Sequence, residues 1–539
     1  METETDVLIA GAGPVGLMLA NQLGLHGVRT LIVEKNASTV HEPRAVGFDD
    51  ETCRALQSVG LDALFADHVV ADIPVSVRNR RNKPLMQIRV TDRKYGHPWF
   101  GTFYQPTLER ILAGGTSRYE SVKLRFQTEL ASFRDRGSHV EASLRDVDGE
   151  QTEVRARWLI GCDGGTSRVR QALQVGFEGS TYAERWLVVD CVNDPFGRQE
   201  AGFLCDTGRP TVSLPAPGGR RRWEFLLFPD ETEQDINQEG SVAALLSPYH
   251  DPTLAEIERR TVYTFHARAA TRFRVGRVLL AGDAAHVMPP FAGQGMNSGI
   301  RDAFNLGWKL ALVTSGSAHE SLLDSYERER RWHVRRMTQL AVSLGWVVMP
   351  TGRLATATRD ALFWLLNSFP PSRRVLNSGK IRPEPALGRR GTFRPSSCKT
   401  AGRMLPQVEV RLADGTTKPL DEILGDGFAA VGVGIDPNRI DDDWAQTARR
   451  LGARFVCIHT DSTDIRRSDN GTVHVYDDTG VFRQPCYQTN PDLLVRPDRF
   501  VVAAENSSTR AVAAGELVLM LALASRPHAS TPMIARAAP

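Results

Sequence analysis

The chain has 539 residues, of which 41% are hydrophobic and 24% charged; that is ordinary globular composition at a length that implies two or three domains. Its 66 basic and 63 acidic residues leave a net charge of only +3, spread over the whole length, which argues against nucleic acid or an anionic membrane as partner. The seven cysteines form no Cys-x-x-Cys pair and no other metal-ligand spacing, so no metal is expected, and the thiols read as reduced ones in a cytoplasmic protein.

The acidic start Met1 to Asp6 runs straight into a strand, unlike a signal peptide. Val7 to Ala10 is a short apolar strand, Pro14 to Leu25 a helix, and Thr30 to Val33 a second strand that ends at Glu34. The turn joining the first two, Gly11-Ala12-Gly13-Pro14-Val15-Gly16, has the Gly-x-Gly-x-x-Gly spacing of a dinucleotide loop. Its glycines permit a tight turn and close approach of a pyrophosphate, which then meets free N–H groups at the helix start. Glu34, with Lys35 beside it, lies where a carboxylate bonds an adenosine ribose.

Trp158 to Gly161 and Arg277 to Ala281 are further short strands, each followed by an aspartate, Asp163 or Asp283. Between them, Trp186 to Val189 and Trp223 to Phe228 are β-rich and predict a sheet forming part of a pocket. Ser298 to Thr314 and Ser321 to Met349 have helical apolar spacing. The Pro/Arg/Ser-rich stretch from Arg382 to Ser397 predicts a linker. Beyond it, Phe428 to Val433, Ala453 to Ile458 and Leu493 to Pro497 predict strands of a small α/β domain. The apolar run Leu517 to Ala524 is far shorter than the ~20 residues of a membrane span.

Three motifs in order resemble the class A flavoprotein aromatic monooxygenases of the p-hydroxybenzoate hydroxylase fold. They are Gly11 to Gly16; Asp163-Gly164-Gly165-Thr166-Ser167-Arg168-Val169-Arg170; and Gly282-Asp283-Ala284-Ala285-His286 followed by Pro290 and Gly293-Gln294-Gly295-Met296-Asn297. Within that family the segments Pro43 to Glu51, Trp186 to Asp190, Arg301 to Leu306 and Arg496 to Val501 are most similar to the 3-(3-hydroxyphenyl)propionate hydroxylases. The loop Pro290 to Asn297 departs from that subgroup in lacking a Trp and a Tyr.

The resemblance implies an α/β protein: a Rossmann-like FAD-binding domain interleaved with a β-sheet substrate domain, plus a C-terminal thioredoxin-like domain. The implied boundaries are 1–180 and 275–380 for FAD, including part of the substrate layer near 75–105; 181–274 for the substrate sheet; 381–400 for the linker; and 401–539 for the last domain. It implies FAD as cofactor, NAD(P)H as transient co-substrate, and O2 plus a small phenol as partners, compatible with a homodimer. The implied reaction is ortho-hydroxylation of a phenolic acid to a catechol through a C4a-hydroperoxyflavin. The rival readings are a tailoring hydroxylase of a polyketide or antibiotic phenol and a non-catalytic flavin-binding protein.

By the same resemblance, Asp283 contacts the ribityl chain, Met296 and Asn297 the pyrimidine ring, Arg44 the pyrophosphate and Gln105 the ribityl chain, while the Pro290 carbonyl faces the substrate hydroxyl. Tyr104, Tyr263 and His266 are candidates for acting on the phenol, with His97, Asp49 and Asp50 as further options; each is more often core, rim or helix cap than catalyst. His286 is expected to be structural. Arg220 to Arg222 could receive a substrate carboxylate, but reads first as a solvated turn. Without Cys-x-x-Cys, the last domain is expected to serve a structural or oligomerisation role and not a redox one.

Overall fold

The structure is a computed structural model. It describes residues 3–521 apart from 239, 389–390, 393–399, 440–441, 462–470, 507, 511–512, 515–516 and 519–520. Cys398 and most of the run Leu517 to Ala524 lie outside the described residues.

In the strand Thr3–Ala10, the apolar run Val7 to Ala10 is buried on both faces, as befits a parallel sheet. Thr30–Val33 pairs with one of its edges and Gln151–Gly161 with the other, both parallel. Val122–Arg125 and Val278–Leu280 extend the sheet on the two sides, again in parallel. Crossovers leave Thr3–Ala10 in both directions, so the crevice at the carboxyl ends of these strands is the topological switch point where α/β sheets bind ligands. Gly11, Glu34, Cys162-Asp163 and Ala281-Gly282 all emerge there, and the strand ends are knit by Gly11 N–H to Val33 O (2.8 Å), Cys162 N–H to Ala10 O (2.8 Å) and Ala281 N–H to Gly161 O (3.0 Å).

Helix Pro14–Leu25 packs on helix Gly295–Thr314. Two glycines set how close they come: a Cβ on Gly299 would lie 2.4 Å from Val15 Cγ2, and one on Gly307 would lie 2.7 Å from Gln22 Cβ. The first and third motifs are therefore packed against each other.

A second, eight-stranded sheet forms the wall over this crevice. Its strand order is His286–Val287, Glu256–Ala270, Phe177–Val192, Arg220–Leu227, Thr211–Ala216, Ala201–Cys205, Val75–Asn79 and Pro84–Ile88. The sheet thus draws on residues well before 181, while Phe100–Phe103 joins a separate three-stranded sheet.

The C-terminal sheet places Ala429–Val433, Arg454–His459 and Thr472–Tyr476 in parallel, with Asp492–Val495 and Val501–Glu505 added antiparallel. It is joined to the rest through a fully buried polar network. Arg496 donates to Glu329 (2.9 Å), Thr392 (2.7 Å) and Asp498 (2.8 Å), while Lys309 of the helix Gly295–Thr314 donates to the same Glu329 (2.8 Å) and to Asn305 (2.8 Å). The predicted linker is docked where it is described: Arg382 donates to Asp50 (2.5 Å) and to the Trp99 carbonyl (3.0 Å), and Thr392 to Glu329 (2.5 Å). Among the described residues no helix is long and apolar enough to cross a membrane.

Candidate active site

The crevice and the wall enclose one continuous cavity of about 1580 Å³, above the ~300–1,000 Å³ of an ordinary small-molecule pocket. One end is polar and is lined by Gly11, Gly13, Pro14, Val15, Glu34, Lys35, Arg44, Gln105 and Asp163. The other end is a largely apolar chamber between the second sheet and the loop that carries Pro290, Gly293, Gly295 and Met296.

At the polar end, the first loop has the features a pyrophosphate requires. Gly11 adopts φ +104°, and a Cβ on Gly16 would meet the Gly11 carbonyl oxygen at 2.0 Å, so Gly16 does not line the cavity but lets the helix start against the strand. A Cβ on Gly13 would meet nothing within 4 Å, which leaves the N-terminus of helix Pro14–Leu25 open toward the cavity. The Glu34 carboxylate accepts the Ala12 N–H at 3.0 Å and the Asn36 N–H at 3.0 Å. Among the described residues the Arg44 guanidinium makes no hydrogen bond or ion pair, although the main chain beside it is fixed: Gln105 Oε1 accepts the N–H groups of Arg44 (2.9 Å) and Ala45 (2.6 Å). The Gln105 amide also donates to Glu109 at 2.8 Å, so its side chain holds this segment from behind.

The middle motif explains itself in geometry. Ser167 Oγ donates to Asp163 at 2.5 Å and accepts the Arg170 N–H at 3.0 Å, capping the short helix Arg168–Ala172. Arg170 then spans two loops, donating to the carbonyls of Gly165 (2.7 Å) and Ala284 (2.8 Å). Asp163, Ser167 and Arg170 thereby tie the third motif to the second.

In the third motif Gly282 sits at φ +60° and its N–H donates to Asp302 at 2.9 Å. Asp302, with 0% exposure, also takes hydrogen bonds from His286 Nε2 (2.7 Å) and Arg330 Nε (2.7 Å). His286 is thus an anchor behind the loop, and the adjoining Asp283 is turned into the cavity. Asp283 is accessible to the cavity yet enclosed by protein, and this burial raises its carboxyl above the ordinary range against the pull of His286 and Arg44. Gly293 at φ +61° ends the turn Pro290–Ala292, and helix Gly295–Thr314 begins at the chamber, which Gly293, Gln294 and Gly295 line. Met296 lines it. The Asn297 side chain points elsewhere, accepting from Thr52 Oγ1 (2.6 Å) and donating to the Gly293 (2.6 Å) and Gly47 (3.2 Å) carbonyls.

The candidates for acting on a phenol are dispersed. Tyr263 lines the chamber, its hydroxyl accepting from Arg259, and so does His266, whose Nδ1 lies 3.0 Å from Thr181 Oγ1. Tyr104 lies outside it, its ring 4.5 Å below the Arg220 guanidinium and its hydroxyl 3.3 Å from Glu258. His97 is bonded to Gln57 at 2.7 Å, and burial lowers its imidazole to about 4. Asp49 caps helix Asp50–Ser58 and Asp50 pairs with Arg382, both away from the chamber.

Arg220 to Arg222 correct the expectation of a solvated turn. They open the strand Arg220–Leu227, and Arg221 and Arg222 are only 3% and 4% exposed. Strand alternation sends Arg221 to Asp194 (3.2 Å) on one face and Arg222 to Asp190 (2.7 and 3.0 Å) on the other. Arg222 also donates to the carbonyls of Pro43 (2.7 Å) and Arg44 (2.6 Å), so it fixes the segment that carries Arg44. The same alternation turns Glu224 toward the chamber, a residue sequence reasoning passed over although its spacing from Arg222 was visible.

A dinucleotide loop, a ribose-length carboxylate, an inward Asp283 and a helix N-terminus at the far end are the donor set of an FAD site. Comparison with known proteins agrees: residues 4–341 match the family described as FAD binding domain, and residues 402–518 match the HcaD C-terminal domain. The chain belongs to the FAD-dependent aromatic monooxygenases. It is 40% identical to the 3-(3-hydroxy-phenyl)propionate/3-hydroxycinnamic acid hydroxylase of Shigella sonnei, over 97% of this chain and 96% of that one. The protein of the same name from Klebsiella pneumoniae subsp. pneumoniae is 40% identical over 92% of this chain and 91% of that one. Among solved structures, the OxyS anhydrotetracycline hydroxylase of Streptomyces rimosus superposes with a TM-score of 0.76 at 26% identity, covering 98% of this chain and 100% of that one.

Proposed function

We propose that this enzyme hydroxylates 3-(3-hydroxyphenyl)propionate or 3-hydroxycinnamate to the corresponding catechol. The observation that carries the reading is the 40% identity, over 97% of the chain, to a relative named for those substrates. Each turnover consumes one phenol, one O2, one NAD(P)H and one proton, placing one oxygen atom on the ring and the other in water. Bound FAD supplies the oxygen activation, and the chain's residues supply position and a dry site.

In this reading the N–H groups beside Gly13 and the Arg44 guanidinium hold the diphosphate, Glu34 the ribose and Asp283 the ribityl hydroxyls. The start of helix Gly295–Thr314, the positive end of a 20-residue helix, would favour negative charge at the flavin ring edge. The Pro290 carbonyl and the wall around Tyr263 and His266 orient the phenol. The scattered cysteines, which form no Cys-x-x-Cys pair, and the use of NAD(P)H support a cytoplasmic setting.

Purified holoenzyme tests the proposal. 3-(3-Hydroxyphenyl)propionate should stimulate NADH or NADPH oxidation with matching oxygen uptake and catechol formation. Stimulation by a polycyclic phenol and by no hydroxyphenylpropionate would overturn it in favour of a tailoring hydroxylase.

A further inference from the structure

One ionisable side chain in the chamber is left without a role by the FAD site. Glu224 lies in the middle of the strand Arg220–Leu227, where Trp223, Phe225 and Leu227 point into a separate apolar cluster and Glu224 points into the cavity. It is 7% exposed, and its cross-strand partners, Val188 and Val212, are apolar and line the same chamber. Among the described residues no group donates a hydrogen bond to its carboxylate. Arg222, two residues away on the same face of the strand, is already engaged, bonding Asp190 and the carbonyls of Pro43 and Arg44. Arg259 of the same wall is likewise engaged, donating to the Pro43 carbonyl and to the Tyr263 hydroxyl.

Burying a carboxylate among valines is unfavourable unless something donates to it, and Glu224 opens to the chamber. Val188 is two residues from Trp186 on the same face, and the Trp186 ring meets Phe291, the neighbour of Pro290, edge-on at 5.5 Å. Glu224 therefore faces a compartment that the turn Pro290–Ala292 borders where it meets this wall.

We infer that Glu224 is the subsite that accepts the hydroxyl hydrogen of a neutral phenolic substrate. The inference rests on the phenol-hydroxylase reading above but not on which phenol is used. A charge-assisted O–H···O⁻ bond fixes the ring by its hydroxyl and leaves more electron density on the oxygen and on the ring carbons ortho and para to it. Carried to completion, the proton moves from the phenol oxygen to a Glu224 oxygen, giving phenolate and carboxylic acid, and returns to the same oxygen in the product. Burial pushes the Glu224 carboxyl up to about 7, against the opposing effect of Arg222, which makes it a better acceptor toward a phenol's ~10. A like charge is excluded from this spot, so a substrate carboxylate must lie at the other end of the chamber.

The test measures Kd, from flavin absorbance changes of the holoenzyme, for 3-(3-hydroxyphenyl)propionate, its 3-methoxy analogue and 3-phenylpropionate, in wild type and Glu224→Gln. Wild type should prefer the hydroxyl compound by ~10- to 100-fold. Glu224→Gln should shrink that preference to roughly threefold or less, with binding of 3-phenylpropionate unchanged. A ring-fluorinated, more acidic phenol should recover turnover in the variant, which a merely structural role would not produce. An undiminished preference for the hydroxyl in a Glu224→Gln protein with a normal flavin spectrum would overturn the inference. If wild type binds no hydroxyphenylpropionate, the substrate reading fails alone, and the same hydroxy, methoxy and deoxy comparison on whichever phenol stimulates NAD(P)H oxidation decides the role of Glu224.

Discussion

Asp302 offers the sharpest test of how the flavin loop is held. It touches neither cofactor nor substrate in our reading, yet with 0% exposure it accepts from the Gly282 N–H, His286 and Arg330 at 2.9, 2.7 and 2.7 Å. Asp302→Ala leaves a buried guanidinium and an N–H without their acceptor, and breaking a buried pair in this way costs about 3–5 kcal/mol. Asp302→Asn keeps one acceptor oxygen and loses the charge, for about 1.5–3 kcal/mol, the worth of a hydrogen bond to a charged group. Because Gly282 holds its φ of +60° through this bond, FAD affinity should fall about tenfold or more with the alanine variant, or ~1.4 kcal/mol. Burial alone would raise the Asp302 carboxyl, but His286 and Arg330 outweigh it and hold the group below the ordinary range. A carboxyl lowered in the folded state stabilises fully above its unfolded value of ~3.9 and loses that contribution as pH falls through the folded one. The stability gap between wild type and Asp302→Ala should therefore be constant near neutral pH and close in acid. Thermal unfolding and FAD titration across pH check both statements. A variant within ~0.5 kcal/mol of wild type that retains FAD, or a gap that widens in acid, would refute the reasoning.

Gly16→Ala should abolish FAD retention, because the new methyl would lie 2.0 Å from the Gly11 carbonyl oxygen and must push strand and helix apart; gel filtration of the yellow protein reads this directly. Arg44→Met should weaken FAD binding about tenfold and leave the melting temperature of the cofactor-free protein unchanged, since the guanidinium supports no internal hydrogen bond among the described residues; fluorescence titration at two salt concentrations should show that the loss shrinks at high salt.

The phosphate end of the site was legible in the sequence because it is built locally. A loop of six residues between a strand and a helix fixes its own geometry, and Glu34 follows from the length of one βαβ unit. Roles that depend on side-chain direction were harder to read. Gln105 and Asn297 sit in the right segments, but their amides bond the backbone at Arg44, Ala45, Gly47 and Gly293, and only the packed structure shows which way an amide turns. The substrate wall was least legible, since its strands come from residues 75–88 and 177–287 and no local pattern states which strands become neighbours. Even so, period-two reading of Arg220–Leu227 would have separated Arg221 and Trp223 from Arg222 and Glu224. The expectation of a solvated turn failed because three consecutive arginines looked like surface, whereas Asp190 and Asp194 on the adjoining strand and loop neutralise two of them inside.

The C-terminal domain shows how distant chain segments reach the flavin loop. Helix Asp50–Ser58 carries Arg54, with 0% exposure, whose Nε and Nη2 donate to Asp421 at 2.7 Å each and whose Nη1 donates to the Leu405 carbonyl at 2.6 Å. Two residues earlier, Thr52 donates to Asn297 at 2.6 Å, at the start of the flavin-facing helix. One helix thus holds the last domain with one turn and the flavin loop with the same turn. Arg54→Met leaves the buried Asp421 paired with Arg499 at 3.3 Å and without its bidentate partner, so the cost should fall near the lower end of about 3–5 kcal/mol. If the domain is a brace, urea unfolding of the variant should separate an early transition, monitored by tryptophan fluorescence, from the release of FAD. FAD affinity should also drop severalfold, although Arg54 lies outside the cavity. An unchanged single transition with unchanged FAD affinity would mean that the domain is carried by the enzyme without supporting its site.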